Sequence, residues 1–175
     1  ALLTRGGTIF GTANRGRFSA KVGHGETRRL PQELIDGVKE GMRKQSIRGL
    51  VSIGGDGSLS IAQQLFEGGV PVVGVPKTID NDLMGTSMTF GFDSAVACAT
   101  DALDRLHTTA ESHKRVMVLE VMGRYAGWIA LYAAVAGGAD VALIPEIPFT
   151  YDSVCRKILQ RESLGRQFTI VVVAE

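Results

Sequence analysis

Leu50-Val-Ser-Ile-Gly-Gly-Asp-Gly-Ser-Leu59 is the stretch whose reading decides the fold. An apolar run rich in β-branched residues enters a cluster of glycines, and a helix-like segment leaves it. A strand that passes through glycine into a helix is the ligand-bearing junction of an open parallel α/β sheet. The glycines let a backbone approach phosphate oxygens, and the free N–H groups of a helix start favour anions. Asp56 would repel a phosphate unless a divalent cation bridges the two, so the loop points to Mg²⁺ beside a phosphate. The same residues also fit a plain glycine turn capped by Asp or Ser. No Gly-Lys-Ser/Thr and no GxGxxG occurs in the chain, which excludes those two nucleotide-binding loops.

Outward from this stretch the pattern repeats. Apolar runs at 47–53, 70–75, 115–121, 140–144 and 168–174 show little alternation, as parallel strands covered on both faces do. Helix-length segments at 31–45, 58–67, 93–110, 124–136 and 151–163 separate them, the first opening at Pro31 with Leu34, Ile35, Val38 and Met42 at helical spacing. Strands alternating with helices predict an α/β protein with mainly parallel, Rossmann-like sheets built from right-handed βαβ units.

Composition narrows the function. The 175 residues are 45% hydrophobic and 21% charged, which fits a globular chain rather than a disordered one. The 22 glycines exceed the usual share of about 7% and follow no triplet period, which excludes collagen. The longest uncharged stretch, 125–139, is short and glycine-broken, so no membrane partner is expected. Two cysteines, Cys98 and Cys155, make no disulfide framework, and a reduced, cytoplasmic setting is the expectation. His24, His107 and His113 lack metal-ligand spacing. Net charge is +1 but uneven: residues 1–50 hold ten Lys/Arg against four Asp/Glu, and 51–175 hold nine against fourteen. The basic segment suits an anionic ligand or a solvated helix face; without interleaved aromatics it gives no support for nucleic acid.

Two further strand exits carry chemistry. Pro76-Lys-Thr-Ile-Asp-Asn-Asp82 sets Asp80 and Asp82 two residues apart beside Thr78 and Lys77. Paired carboxylates raise each other's proton affinity, which suits a general base with a metal-linked partner; an Asx-turn connector is the simpler alternative. Glu120-Val-Met-Gly-Arg-Tyr125 puts Arg124 near a predicted helix start, where the dipole disfavours a cation unless an anion is held there. Ser112-His-Lys-Arg115 adds a small basic cluster. In a parallel sheet these exits share one edge, and together they supply a phosphate cradle, carboxylates and an arginine for phosphoryl transfer.

GGDGS at 54–58, PKTIDND at 76–82 and EVMGRYAGW at 120–128 resemble the signatures of the 6-phosphofructokinases. Glu111–Arg115 and the opening Gly6-Gly-Thr-Ile-Phe-Gly-Thr12 resemble further segments of that family, in order along the chain. The resemblance implies a three-layer α/β/α phosphofructokinase fold. Residues 1–91 would form part of a nucleotide-binding domain and 92–175 the first part of a sugar-phosphate domain. It implies Mg-dependent transfer from ATP to the 1-hydroxyl of fructose 6-phosphate, a step of glycolysis. Asp80 would be the base, with Thr78 and Arg124 steadying the transferring group. Gly55, Asp56, Gly57, Ser58 and Arg15 would serve the nucleotide, and Asp56 and Asp82 the Mg²⁺. Thr78, Ile79, Asp80, Met122, Gly123, Arg124 and Glu175 would meet the sugar phosphate. Arg115 would reach the sugar phosphate of a neighbouring subunit, making the active site shared within a homo-oligomer. Gly138 and Asp140 fall where many bacterial members place part of an allosteric site.

The chain departs from the family pattern in places. Lys77 stands where many ATP users have glycine and pyrophosphate users have lysine, whereas Gly57 leaves the room that ATP needs. ATP is therefore the expected donor, with a pyrophosphate-dependent enzyme or a non-catalytic paralogue as alternatives. Asn14 replaces the usual nucleotide-contacting arginine, with Arg15 alongside. The chain opens on Ala1 without an initiator methionine and its last strand runs to Glu175, so both ends read as cuts in a larger protein.

Overall fold

The glycine-punctuated apolar runs become a series of parallel strands with helices between them in a computed structural model, which describes residues 7, 17–18, 21–22 and 26–175. The chain divides into two compact units, Ala1–Pro76 and Lys77–Glu175. Arg15, Asn14, His24 and all of the Gly6–Thr12 segment except Gly7 lie outside the described residues.

In the first unit, β1 (Lys21–Val22) and β2 (Glu26–Thr27) form a short antiparallel pair. Helix α1 (Gln32–Lys44) follows Pro31, which is its N-cap. Strand β3 (Leu50–Gly54), helix α2 (Asp56–Glu67) and strand β4 (Val72–Thr78) form a βαβ unit, with β3 and β4 parallel from Leu50↔Val72 to Gly54↔Pro76. Ile35 and Met42, two helical turns apart on α1, are buried with Leu30, Leu65 and Val70. Each such side chain contributes about 1.5–3 kcal/mol by leaving water. Val51, Ile53 and Val73, on alternate positions of β3 and β4, are exposed.

In the second unit the last two residues of β4 pair in parallel with β5 (Phe90–Gly91), which feeds α3 (Phe92–His113). Strands β6 (Val116–Val121), β7 (Val141–Leu143) and β8 (Thr169–Ala174) form a parallel sheet in the order β6-β8-β7, with α4 (Trp128–Ala136) and α5 (Tyr151–Ser163) as crossovers. The β6-to-β7 crossover steps over β8 and the β7-to-β8 crossover steps back, so right-handed connections put α4 and α5 on opposite faces. Phe92, Leu103 and Ala110 of α3, Ala130 and Ala133 of α4, and Ile170 and Val172 of β8 form the core. The alanines of α4 let α3 lie close, which is why this helix is apolar yet poor in large buried side chains.

The predicted elements are present with shifted ends. Helix α4 starts at Trp128 rather than 124, because Gly123 takes φ +135° and Gly127 caps the helix. Helix α5 opens with a reciprocal capping box between Thr150 and Ser153. Its far end is tied down by Arg161, which pairs with Asp140 at 2.8 Å, while its other nitrogens donate to Thr169 Oγ1 and the Phe168 carbonyl. Asp140 Oδ2 accepts the Ile170 N–H at 2.8 Å, so both carboxylate oxygens are used where β8 begins. The two side chains are only 19% and 14% exposed, so removing one leaves the other desolvated and unpaired. Asp140→Ala is therefore expected to destabilise the chain by about 2–4 kcal/mol, read as a lower urea midpoint. An unchanged midpoint would show that the pair is stabilising nothing.

Candidate functional site

In the second unit the carboxyl ends of three strands meet at one pocket. Asp80 and Asp82 follow β4, Met122–Ala126 follow β6, and Glu175 follows β8; these residues line a cavity of about 340 Å³. The edge is tied together by the Glu175 N–H, which donates to the Val121 carbonyl at 2.9 Å. Strand carboxyl ends are where parallel α/β proteins present ligand sites; here β6 and β8 of one sheet and β4 of another contribute to the pocket.

The loop after β4 organises itself. The Asp80 N–H donates to Thr78 Oγ1 at 3.3 Å, and the Thr78 hydroxyl donates to Asp80 Oδ2 at 3.4 Å. Asn81 takes φ +53°, a left-handed conformation asparagine tolerates, and its Oδ1 accepts the Thr89 N–H at 2.9 Å. Thr89 is 2% exposed, so this bond closes the 81–89 excursion over a buried anchor. Asn81 thus shapes the loop, with Asp80 and Asp82 to either side of it.

Burial first, then the neighbouring Asp82, and more weakly Glu175, raise the proton affinity of Asp80; the Thr78 hydroxyl opposes them. Arg124 is exposed and pairs with Glu175, which with Tyr125 holds its guanidinium even more firmly protonated. The expected anion beside Arg124 is therefore supplied by the chain itself. Arg124 also lies outside the first turn of α4, four residues before Trp128, because Gly123 turns the chain away first. A Cβ on Gly123 would sit 2.7 Å from the Ala126 carbonyl oxygen, so both space and φ demand glycine there.

Ile79 packs against the core and does not line the pocket. Arg115 is exposed at the amino end of β6, opposite Met122, and six strand residues separate the two ends by about 20 Å. Tyr125 and Ala126 line the cavity although sequence reasoning gave them no role. Their adjacency to Arg124 in the same turn was the available signal.

In the first unit the Gly54–Ser58 loop ends β3 and starts α2. Gly55 is the N-cap, without a side-chain cap, and Asp56 is the first helical residue. Ser60 donates weakly to Asp56 Oδ1 at 3.5 Å. A Cβ on Gly54 would meet Ser58 Cβ at 2.5 Å, whereas one on Gly57 would have nothing within 4 Å. Gly54 is thus required by the tight strand-to-helix junction, and Gly57 leaves free space beside it. Among the described residues no group of three or more His, Cys, Asp or Glu side chains forms a cation cage. Nor is any helix among them long and apolar enough to cross a membrane.

Parallel strands with interleaved helices, and a pocket lined by an acidic loop and an arginine at strand carboxyl ends, define the chain as an α/β protein of the open-sheet class. The phosphofructokinase family profile matches residues 1–175. The ATP-dependent 6-phosphofructokinase of Chloroflexus aurantiacus is 55% identical over 174 residues, covering 99% of this chain and 48% of that one. The Pichia pastoris phosphofructokinase in its T-state superposes with a TM-score of 0.78 at 33% identity, over 99% of this chain and 20% of that one. A pyrophosphate-dependent phosphofructokinase from Marinobacter aquaeolei superposes with a TM-score of 0.71 at 30% identity, over 87% of this chain and 42% of that one. The chain belongs to the phosphofructokinase family. It spans about half the length of the curated relatives it matches.

The raised proton affinity of Asp80 has a consequence for stability. The folded state binds its proton more tightly than the unfolded chain does, so this contribution is favourable below the unfolded pKa and is lost as pH rises through the folded one. At pH 7 the charged carboxylate is a net cost. Asp80→Asn is expected to raise the thermal midpoint of the chain at pH 7, with the gain shrinking as pH falls through the raised folded-state pKa and gone below about pH 4. A lower midpoint at pH 7 would contradict this.

Proposed function

We propose that the full-length protein transfers the γ-phosphoryl group of ATP to the 1-hydroxyl of fructose 6-phosphate. The observation that carries the reading is the pocket that joins Asp80, of raised proton affinity, to Arg124 and Glu175 at the carboxyl ends of β4, β6 and β8. Asp80 takes the proton from the attacking hydroxyl, a task that a carboxylate of raised pKa performs better than an ordinary one. The Thr78 hydroxyl orients that carboxylate. Arg124 exchanges Glu175 for the transferring phosphoryl group, whose charge spreads over its equatorial oxygens. Met122, Gly123 and the freed Glu175 face the sugar, and Ile79 supports the loop from the core side.

In the first unit, Gly55, Gly57 and Ser58 take the nucleotide phosphates at the start of α2, with Arg15 beside the nucleotide. Asp56 at that helix start and Asp82 in the second unit are hard oxygen donors of the kind Mg²⁺ accepts from proteins, which hold it with few carboxylates and the substrate phosphates. When bound, the metal neutralises developing phosphate charge. Residues 1–91 are proposed as part of the nucleotide-binding domain and 92–175 as the first part of the sugar-phosphate domain. The exposed Arg115, far along β6 from Met122, suits a sugar phosphate bound by a neighbouring subunit of a homo-oligomer. The reaction belongs to glycolysis in the cytoplasm.

Asp80→Ser in the full-length protein is expected to lower kcat by at least about 10²-fold, with fructose 6-phosphate binding retained by calorimetry. Near-parental turnover would overturn the base assignment.

Pyrophosphate as donor is the second reading, favoured by Lys77. The open space at Gly57 supports ATP, since a side chain there would take up room beside the phosphate loop. That space also means Gly57→Asp keeps the fold. The variant is expected to lose ATP-dependent turnover in a coupled assay run with each donor. Unchanged ATP kinetics would sink the steric argument.

A further inference from the structure

The turn that carries Arg124 is gripped from outside the pocket. At its end the Gly127 N–H donates to Glu146 Oε1 at 2.8 Å. A Cβ on Gly127 would lie 2.8 Å from Glu146 Oε2 and 2.5 Å from Ile144 Cβ, so the backbone is pressed against the segment leaving β7. Gly127 brings no side chain to cap α4, and the first turn of that helix holds no acidic residue. Glu146 supplies what both lack: an acceptor for a terminal N–H and a negative charge at the positive end of the helix. At the other end of the turn, the +135° φ of Gly123 and its tight approach to the Ala126 carbonyl leave the chain one path. Arg124 and Tyr125 lie between these two fixed points.

We propose that Glu146 is a positioning residue for Arg124. By holding Gly127 it fixes the 123–127 turn, and so the place from which the guanidinium reaches the transferring group. It also occupies the α4 N-terminus with a carboxylate, so that helix end does not compete with Arg124 for anions. The inference rests on the reading of Arg124 given above. A displacement of about 1 Å in a group that acts only in the transition state lowers kcat with little change in substrate binding.

The test uses the full-length protein with Glu146→Ala, Glu146→Gln, Arg124→Ala and the Glu146→Ala/Arg124→Ala double variant. Glu146→Ala is expected to lower kcat by about tenfold to a hundredfold, with KM for ATP within about twofold. Glu146→Gln keeps an acceptor oxygen and recovers most of the loss. In the Arg124→Ala background Glu146→Ala costs nothing further, because its effect is carried by the missing guanidinium. Should Glu146→Ala fail to fold, Glu146→Asp, which withdraws the acceptor by one methylene, is expected to show the same drop in kcat at unchanged KM for ATP. Parental kcat with only a lowered thermal midpoint overturns the proposal, and so does an equal loss in the presence and absence of Arg124. Parental kcat in Arg124→Ala overturns the role of Arg124 itself, and the positioning role falls with it.

Discussion

Strand β8 is the constraint on which the second unit depends. It lies between β6 and β7, and Ile170 and Val172 on its core side have no exposed surface. Its start is clasped by Asp140 and Arg161 through the Ile170 N–H and the Thr169 hydroxyl. Its end delivers Glu175 to the pocket, pinned to the Val121 carbonyl. A shift of one residue in a strand would turn its core side chains to the wrong face. The apolar core and the ion pair therefore specify the register that places a carboxylate beside Arg124.

The pocket gathers charge at a cost. Asp80, Asp82 and Glu175 share one cavity with Arg124, and burial, then the neighbouring carboxylates, raise the proton affinity of Asp80. Like charges held together weaken the fold, but the same repulsion tunes a carboxylate toward base chemistry. The scaffold tolerates this because loop geometry is fixed by hydrogen bonds made outside the cavity. Asn81 holds the acidic loop through buried Thr89, and Glu146 holds the arginine turn through a backbone N–H. In both places a polar group outside the cavity orders a segment whose charged groups would otherwise push it apart.

Much of the fold was legible because apolar β-branched runs and glycine exits are local signals. The segments at 70–75, 115–121 and 168–174 became β4, β6 and β8, and GGDGS marked the start of α2. The boundary of α4 was misplaced because it depends on Ile144 and Glu146 pressing on Gly127, a contact nineteen residues away in sequence. The Arg124–Glu175 pair was hidden for the same reason, at fifty-one residues. Helix α5 was legible only as a helix-length segment; none of its residues is buried and its anchor is the polar end at Arg161.

The sequence by itself determined the α/β class, the alternation of the five longer strands with their helices, and which residues stand at their exits; the short β1, β2 and β5 were not among them. These follow from hydrophobic period and glycine placement, which act over a few residues. Only the tertiary structure decided that β8 inserts between β6 and β7, that Glu175 faces Arg124, and that Asp80 is half-buried among like charges. Those facts arise from packing and electrostatics between segments distant in the chain, and no local pattern encodes the distance between them.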